Sequence, residues 1–251
     1  MSDQASTIQV NTIEPQSGTT LTVGKSGQNL VVNADSLKAN VVKDAGGNAV
    51  FTSDGSGTLS GLNAGFGSAQ TLIQTQTFTD QATVSFTSGI DSTYKEYIFE
   101  FFNINPANDS TYFSFQGSTN GGSSYGVTIT STYFRAYHNE AGTEDGLGYI
   151  TASDNAQDTR YLPLYQSGVG TAGSQSNQAD AGLSGTLKLY TPSSTTYVKQ
   201  FMATTNGMAN DIGTKENFIG GYFNTTSAID AISFKQSTGN FDGKIKLYGI
   251  K

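Results

Sequence analysis

The sequence predicts an all-β protein, and three observations carry that prediction. From about residue 70 onward, aromatic and β-branched residues alternate with polar ones, as in YKEYIFEFFNI (94–104) and GKIKLYGIK (243–251). Turn-forming clusters such as NGGSS (120–124), TPSS (191–194) and STGNFDG (237–243) separate the alternating runs. No segment sustains an apolar helical period, although SLKANVVKDA (36–45) has the composition for a turn or two of helix. Many short strands joined by glycine-rich turns imply a β-sandwich of jelly-roll type.

The texture of the chain changes near residue 67. Residues 1–66 are short apolar snippets set among glycines, such as TLTVG (20–24), NLVV (29–32) and NVVKDAGGNAVF (40–51). Strands of that length bury too little apolar area alone to offset the entropy of ordering them. Leu21, Val23, Leu30, Val31, Val32, Val41, Val42, Val50 and Phe51 still need cover. Copies from neighbouring chains around an axis would supply it, so residues 1–66 are expected to form a stalk ordered by trimerisation. Residues 67–251 are expected to form the sandwich head.

Within the head the elements follow in order. QATVSFTS (81–88) reads as a strand, and in 94–104 Tyr97, Phe99 and Phe101 face one way while Ile98 and Phe102 share the other face with Glu96 and Glu100. Thr111, Phe113 and Phe115 alternate with Tyr112, Ser114 and Gln116, and Val127 and Ile129 share a face ahead of Tyr133, Phe134 and Tyr137. LSGTLKLY (183–190) places Leu183, Leu187 and Leu189 on one face. TTYVKQFMA (195–203), ENFIGGYF (216–223), AIDAISFK (228–235) and KIKLYGI (244–250) complete about nine strands. Residues 139–181 break the pattern, being polar and glycine-rich apart from GYIT (148–151) and RYLPLY (160–165). A loop that long is expected to be functional or disordered.

Composition excludes several classes of function. The formal net charge of −7 argues against binding nucleic acid through phosphate neutralisation and against an anionic membrane surface. Cysteine is absent, which removes disulfides, thiolate nucleophiles and cysteine metal sites. The opening MSDQASTIQV has no basic or apolar signal region, and no apolar run nears the roughly 20 residues that span a bilayer. The expected product is made in a cytoplasm without membrane insertion.

Catalytic constellations are thin. The single histidine, His138, has no G-x-S-x-G elbow to accompany it. Glu140, Glu144, Asp145, Asp154 and Asp158 lie in the irregular region, and Glu140 with Asp154 is the pair that hydrolysis of a glycoside would use. SDNAQD (153–158) brings Asp154, Asn155 and Asp158 together without the twelve-residue pattern of a calcium loop. No cofactor or metal is expected. The binding cue is aromatic: Tyr125, Tyr149, Tyr161 and Tyr165 stand beside amides, hydroxyls and carboxylates, the mixture that suits a sugar.

Three segments carry a resemblance. PSSTTYVKQF (192–201), GYFNTTSAIDAISFKQSTGNFDGKIKLYGIK (221–251) and STNGGSSYGVTITSTYFRAYHNE (118–140) resemble a recurrent domain of virion structural proteins in marine bacteriophages, cyanophages included. The opening STIQVNTIEPQSGTTLTVGKSG (6–27) is similar to the start of many tail-fibre-like proteins of such phages. The resemblance implies a homotrimeric, non-enzymatic fibre or spike subunit, joined to other virion proteins through its N-terminal region. It implies a virion location on tail or capsid, and no catalytic motif. The expected role is host attachment through a surface glycan. The alternatives are a purely structural decoration, head fibre or adaptor, and a polysaccharide-trimming glycosidase.

Overall fold

The computed structural model describes residues 39, 41–44, 46–53, 55–56, 59–60, 69–166, 174–210 and 213–251. The expectations placed on Leu21, Val23, Leu30, Val31 and Val32 lie outside the described residues. The chain divides into two compact units, Met1–Phe66 and Gly67–Lys251.

In the first unit, β1 (Val41–Lys43), β2 (Ala49–Ser53) and β3 (Leu59–Ser60) form an antiparallel sheet in that order. The β1–β2 turn closes through Asp44, whose Oδ1 accepts the Asn48 backbone N–H at 2.9 Å, and through Gly47 at φ +84°. Within the segment 36–45, whose composition allows a turn or two of helix, Val41–Lys43 is a strand, because the turn closed by Asp44 and Asn48 folds it back onto β2. None of this unit's described side chains with an assigned exposure is buried, and Val41 is 42% exposed.

The second unit is an antiparallel β-sandwich, with no helix among the described residues. Its strands are β4 (Gln70–Gln81), β5 (Val84–Phe86), β6 (Glu96–Pro106), β7 (Phe113–Ser118), β8 (Ile129–Asn139), β9 (Asp145–Tyr149), β10 (Ala156–Asp158), β11 (Leu162–Pro163), β12 (Leu183–Tyr190), β13 (Lys199–Ala209), β14 (Gly213–Phe223), β15 (Ala231–Gln236) and β16 (Phe241–Ile250). The large sheet runs β10-β8-β14-β13-β12-β6-β16-β4, with β9 beside β8, and the small sheet runs β11-β7-β15-β5. The last strand, β16, lies between β6 and β4, so the carboxyl end is internal to the large sheet.

The core forms where the two inner faces meet. Tyr97, Phe99, Phe101, Leu183, Leu187, Leu189, Ile245 and Leu247 are buried on the large-sheet side, as the alternation in their strands requires. Phe234 of the small sheet sits among five rings, with centroids at 5.3 Å from Phe99 and from Phe101, 5.7 Å from Phe113, 6.2 Å from Phe86 and 6.5 Å from Phe115. Phe223 approaches so closely that a Cβ on Gly117 would lie 2.8 Å from its ring, which explains a glycine inside β7. In β6 the alternation resets at Asn103, which takes φ +49° in a bulge and returns Ile104 to the core.

The described parts of the stretch 139–181 hold more strand than their composition suggests, since β9, β10 and β11 lie within them. Its described end, from Ser174, is tied in by amides. Gln236 Nε2 donates to Gln175 Oε1 at 3.0 Å, Gln175 Nε2 donates to the Ile104 carbonyl, and Thr111 Oγ1 donates to Gln236 Oε1 at 3.2 Å. Gln175 is fully buried, so this polar segment is held by satisfied hydrogen bonds instead of apolar side chains.

Candidate ligand-binding surfaces

The four tyrosines singled out by sequence do not form one site. Tyr165 is fully buried, and its hydroxyl donates to the Gly207 carbonyl at 3.2 Å. Its place in a binding surface is corrected accordingly. The small sheet also covers β13 and β14, where the Phe115 ring of β7 lies 5.1 Å from that of Phe201 and 6.0 Å from that of Phe223, and the segment Leu162–Tyr165, which begins as β11 beside β7, is buried with the core there. Tyr133 fixes that segment further, accepting the Gln166 backbone N–H at 2.8 Å and donating to Asn217 Oδ1 at 2.7 Å. Burial drives the Tyr133 phenol well above its usual pKa.

Tyr149 is 54% exposed, and its hydroxyl donates to Asp154 Oδ2, a bond that raises the phenol's pKa. Tyr161 is half-buried on the outer face of the small sheet, with Lys235 Nζ 4.2 Å from its ring centre. Burial raises its pKa, a Ser233 hydrogen bond opposes that rise, and nearby Tyr125 adds to it. Tyr125 is half-buried with its hydroxyl enclosed and unbonded. Tyr125 and Tyr161 are therefore neighbours, Tyr149 stands apart beside Asp154, and Tyr165 is core.

The acidic stretch SDNAQD is organised by an arginine. Arg160 Nε donates to Asn155 Oδ1 at 2.6 Å and lies 3.2 Å from Asp158 Oδ2, while its Nη2 donates to the Asp154 carbonyl. The guanidinium stands among the oxygens a cation would need. Among the described residues, no three His, Cys, Asp or Glu side chains are grouped to hold a metal. Glu140 borders a hollow with His138, Asn139 and Thr214, whereas Asp154 is bonded to Tyr149.

Sequence reasoning missed a hollow of about 400 Å³ on the outer face of the large sheet. Its position follows from register. Phe134, Phe218, Thr204 and Thr186 lie in one row across β8, β14, β13 and β12, and Thr132, Gly220, Met202 and Lys188 lie in the next. Gly220 contributes no side chain, so the second row dips between Thr132 and Met202. A Cβ there would meet only Thr132 Oγ1, at 3.9 Å, so packing does not demand the glycine. Phe134 and Phe218 stack at 4.9 Å and 12°, and Tyr190 closes the far side with its hydroxyl 3.9 Å from Met202 Sδ. Phe134 is 43% and Met202 59% exposed.

The hollow can therefore offer an apolar floor and three threonine hydroxyls, while the Lys188 ammonium at its edge is paired with Glu96 at 3.5 Å. The signal was present in the sequence as the period-two partners of core residues: Phe134 follows buried Tyr133, and Met202 lies between buried Phe201 and Ala203.

In comparisons with known proteins, no family model matches this chain and no curated protein matches it.

Proposed function

We propose that this chain is a subunit of a bacteriophage fibre or spike and that its sandwich head contributes to host attachment by binding a surface saccharide. The observation that carries the reading is the outer-face hollow, where exposed Phe134 and Met202 stand beside Thr132, Thr186 and Thr204. Flat apolar groups cover the C–H faces of a sugar, and hydroxyls exchange hydrogen bonds with its own. The strand order supports a jelly-roll reading: the large sheet contains the run β4-β16-β6-β12, the small sheet the run β5-β15-β7-β11, and the chain passes repeatedly between the two sheets. In this reading the chain is not an enzyme and needs no cofactor. Its N-terminal region joins it to other virion proteins.

A homotrimer is part of the proposal. The unburied side chains of the first unit support it, because strands that short gain stability by meeting copies of themselves. Leu72 at 52% and Phe102 at 38% exposure, on β4 and β6, offer apolar surface for the same purpose in the second unit. These exposed residues also favour a second reading, in which the head only packs against copies and decorates the particle.

Binding of labelled full-length protein to immobilised bacterial surface polysaccharides, those of marine cyanobacteria included, separates the two readings. Saturable binding to at least one polysaccharide supports attachment. Absence of binding across the panel, at concentrations that saturate a millimolar site, contradicts attachment and favours decoration.

A further inference from the structure

A second hollow, of about 270 Å³, opens on the outer face of the small sheet, away from the one just described. Its floor is set by register: Ser114 of β7 lies between Pro163 of β11 and Lys235 of β15. Tyr112 and Tyr161 also line it, and Arg160 and Ser237 complete the rim.

Its charge is unbalanced. Arg160 is answered by Asp158 at 3.2 Å, and its guanidinium is further used by Asn155 Oδ1 and by the Asp154 carbonyl. Lys235 has no such answer. Among the described residues, no ion pair and no hydrogen bond engages the Lys235 ammonium. The Tyr161 ring lies 4.2 Å from Nζ and orients the cation without neutralising it. No carboxylate lines the hollow.

The hydroxyls nearby are only partly used. Ser114 Oγ donates to the Lys235 carbonyl at 3.0 Å and retains acceptor capacity, while Ser237 Oγ accepts the Tyr112 backbone N–H at 3.2 Å and keeps its own proton to donate. An ammonium, a free hydroxyl proton and two tyrosines around one cavity form the complement of a sugar that carries a single negative group. A protein of net charge −7 repels polyanions in general, so a locally unopposed cation makes the face selective.

We infer that the Lys235–Tyr161 hollow is a subsite for an acidic sugar, a hexuronic acid whose carboxylate meets Lys235 and whose ring lies against Tyr112 and Tyr161. The inference rests on the reading of the head as a saccharide binder and adds a chemical class to it. One monovalent carboxylate matches one free ammonium. A sulfate ester would be met by the same single cation, and the experiment tells the two apart.

The test uses full-length protein and three polymers: polygalacturonate, the same polymer with its carboxyl groups reduced to alcohols, and dextran sulfate. The expected result is binding to polygalacturonate, about tenfold weaker binding to the reduced polymer, and loss of that preference in Lys235→Gln. Tyr161→Phe keeps the ring under the cation and should keep the preference, whereas Tyr161→Leu should reduce it. Unchanged melting temperatures in all three variants exclude misfolding as the cause. Equal binding of native and reduced polymer overturns the acidic-sugar subsite and leaves saccharide binding standing. Dextran sulfate held as tightly as polygalacturonate, and released in Lys235→Gln, overturns the carboxylate assignment in favour of bare charge. No binding to polygalacturonate overturns the subsite, and the polysaccharide panel then decides attachment independently.

Discussion

Phe134 and Phe218 lie opposite each other on neighbouring strands, their rings 4.9 Å apart and 12° from parallel, on the face of the large sheet that points away from the core. Side chains on that face lie outside the buried interface between the two sheets. A stacked aromatic pair there shields some of its own apolar area and leaves the rest to water. With Gly220 lowering the adjacent row, the pair becomes one wall of a hollow open to an occupant.

Truncating core aromatics should cost stability and leave saccharide binding unchanged. Phe234→Ala removes the ring on which five others converge and should cost about 3–5 kcal/mol of stability. Tyr165→Phe deletes the buried hydroxyl bond to the Gly207 carbonyl and should cost about 1 kcal/mol with no effect on saccharide binding. Urea melts of the two variants, with binding measured in parallel, check both values. A binding defect in Tyr165→Phe at unchanged stability would contradict its placement in the core.

The carboxyl-terminal strand should be indispensable. Because β16 pairs with β6 on one side and β4 on the other, removing residues 244–251 severs β4 from the sheet and takes Ile245 and Leu247 from the core. The truncated protein should be insoluble on expression. A soluble product with a cooperative melt would contradict the topology.

Assembly should be visible in solution. Light scattering of the full-length chain should return three times the 26.4 kDa chain mass. A protein of residues 67–251 should remain folded, since that unit has its own core. A full-length mass near 26.4 kDa would remove the trimer from the account.

Acid should weaken the β5–β6 connection through Asp91. Its Oδ1 accepts the Thr93 backbone N–H at 2.8 Å and lies 3.1 Å from the Tyr97 hydroxyl, and these bonds, that from Thr93 first, hold its carboxyl below the ordinary carboxylate pKa. A carboxyl depressed on folding contributes stability above its unfolded pKa of about 3.9, and the contribution disappears as pH falls through the lower folded value. Wild type should therefore exceed Asp91→Asn in urea midpoint at pH 7, with the gap closing toward pH 2. The gap should be small, because the side chain is exposed. A gap that widens on acidification would contradict the assignment.

The fold was largely legible because the core strands alternate cleanly: Tyr97, Phe99, Phe101 and Leu183, Leu187, Leu189 are buried on the faces that period-two reading assigns them. β4 was not legible as a strand, since TLIQTQTFTD is mostly threonine and glutamine, and as the edge strand beside β16 it buries little. The binding surfaces were the harder problem. Tyr165 sits in a polar stretch and reads as exposed, yet the inner face of β13 and β14 requires cover that no local pattern reveals. Phe134, Phe218 and Met202 come together only through the register of β8, β14 and β13, which sequence periodicity does not fix.

The most direct test of the account is the affinity of the head for a neutral saccharide identified on the polysaccharide panel, which the Lys235 hollow does not select, measured for wild type, Phe134→Ala and Gly220→Leu. Gly220 has ordinary backbone angles and open space above it, so leucine there should fill the hollow without straining the fold. The account predicts equal melting temperatures for wild type and Gly220→Leu, and affinity reduced about tenfold or more in both variants. Full affinity in a folded Gly220→Leu protein would contradict the claim that the outer-face hollow is where the saccharide binds.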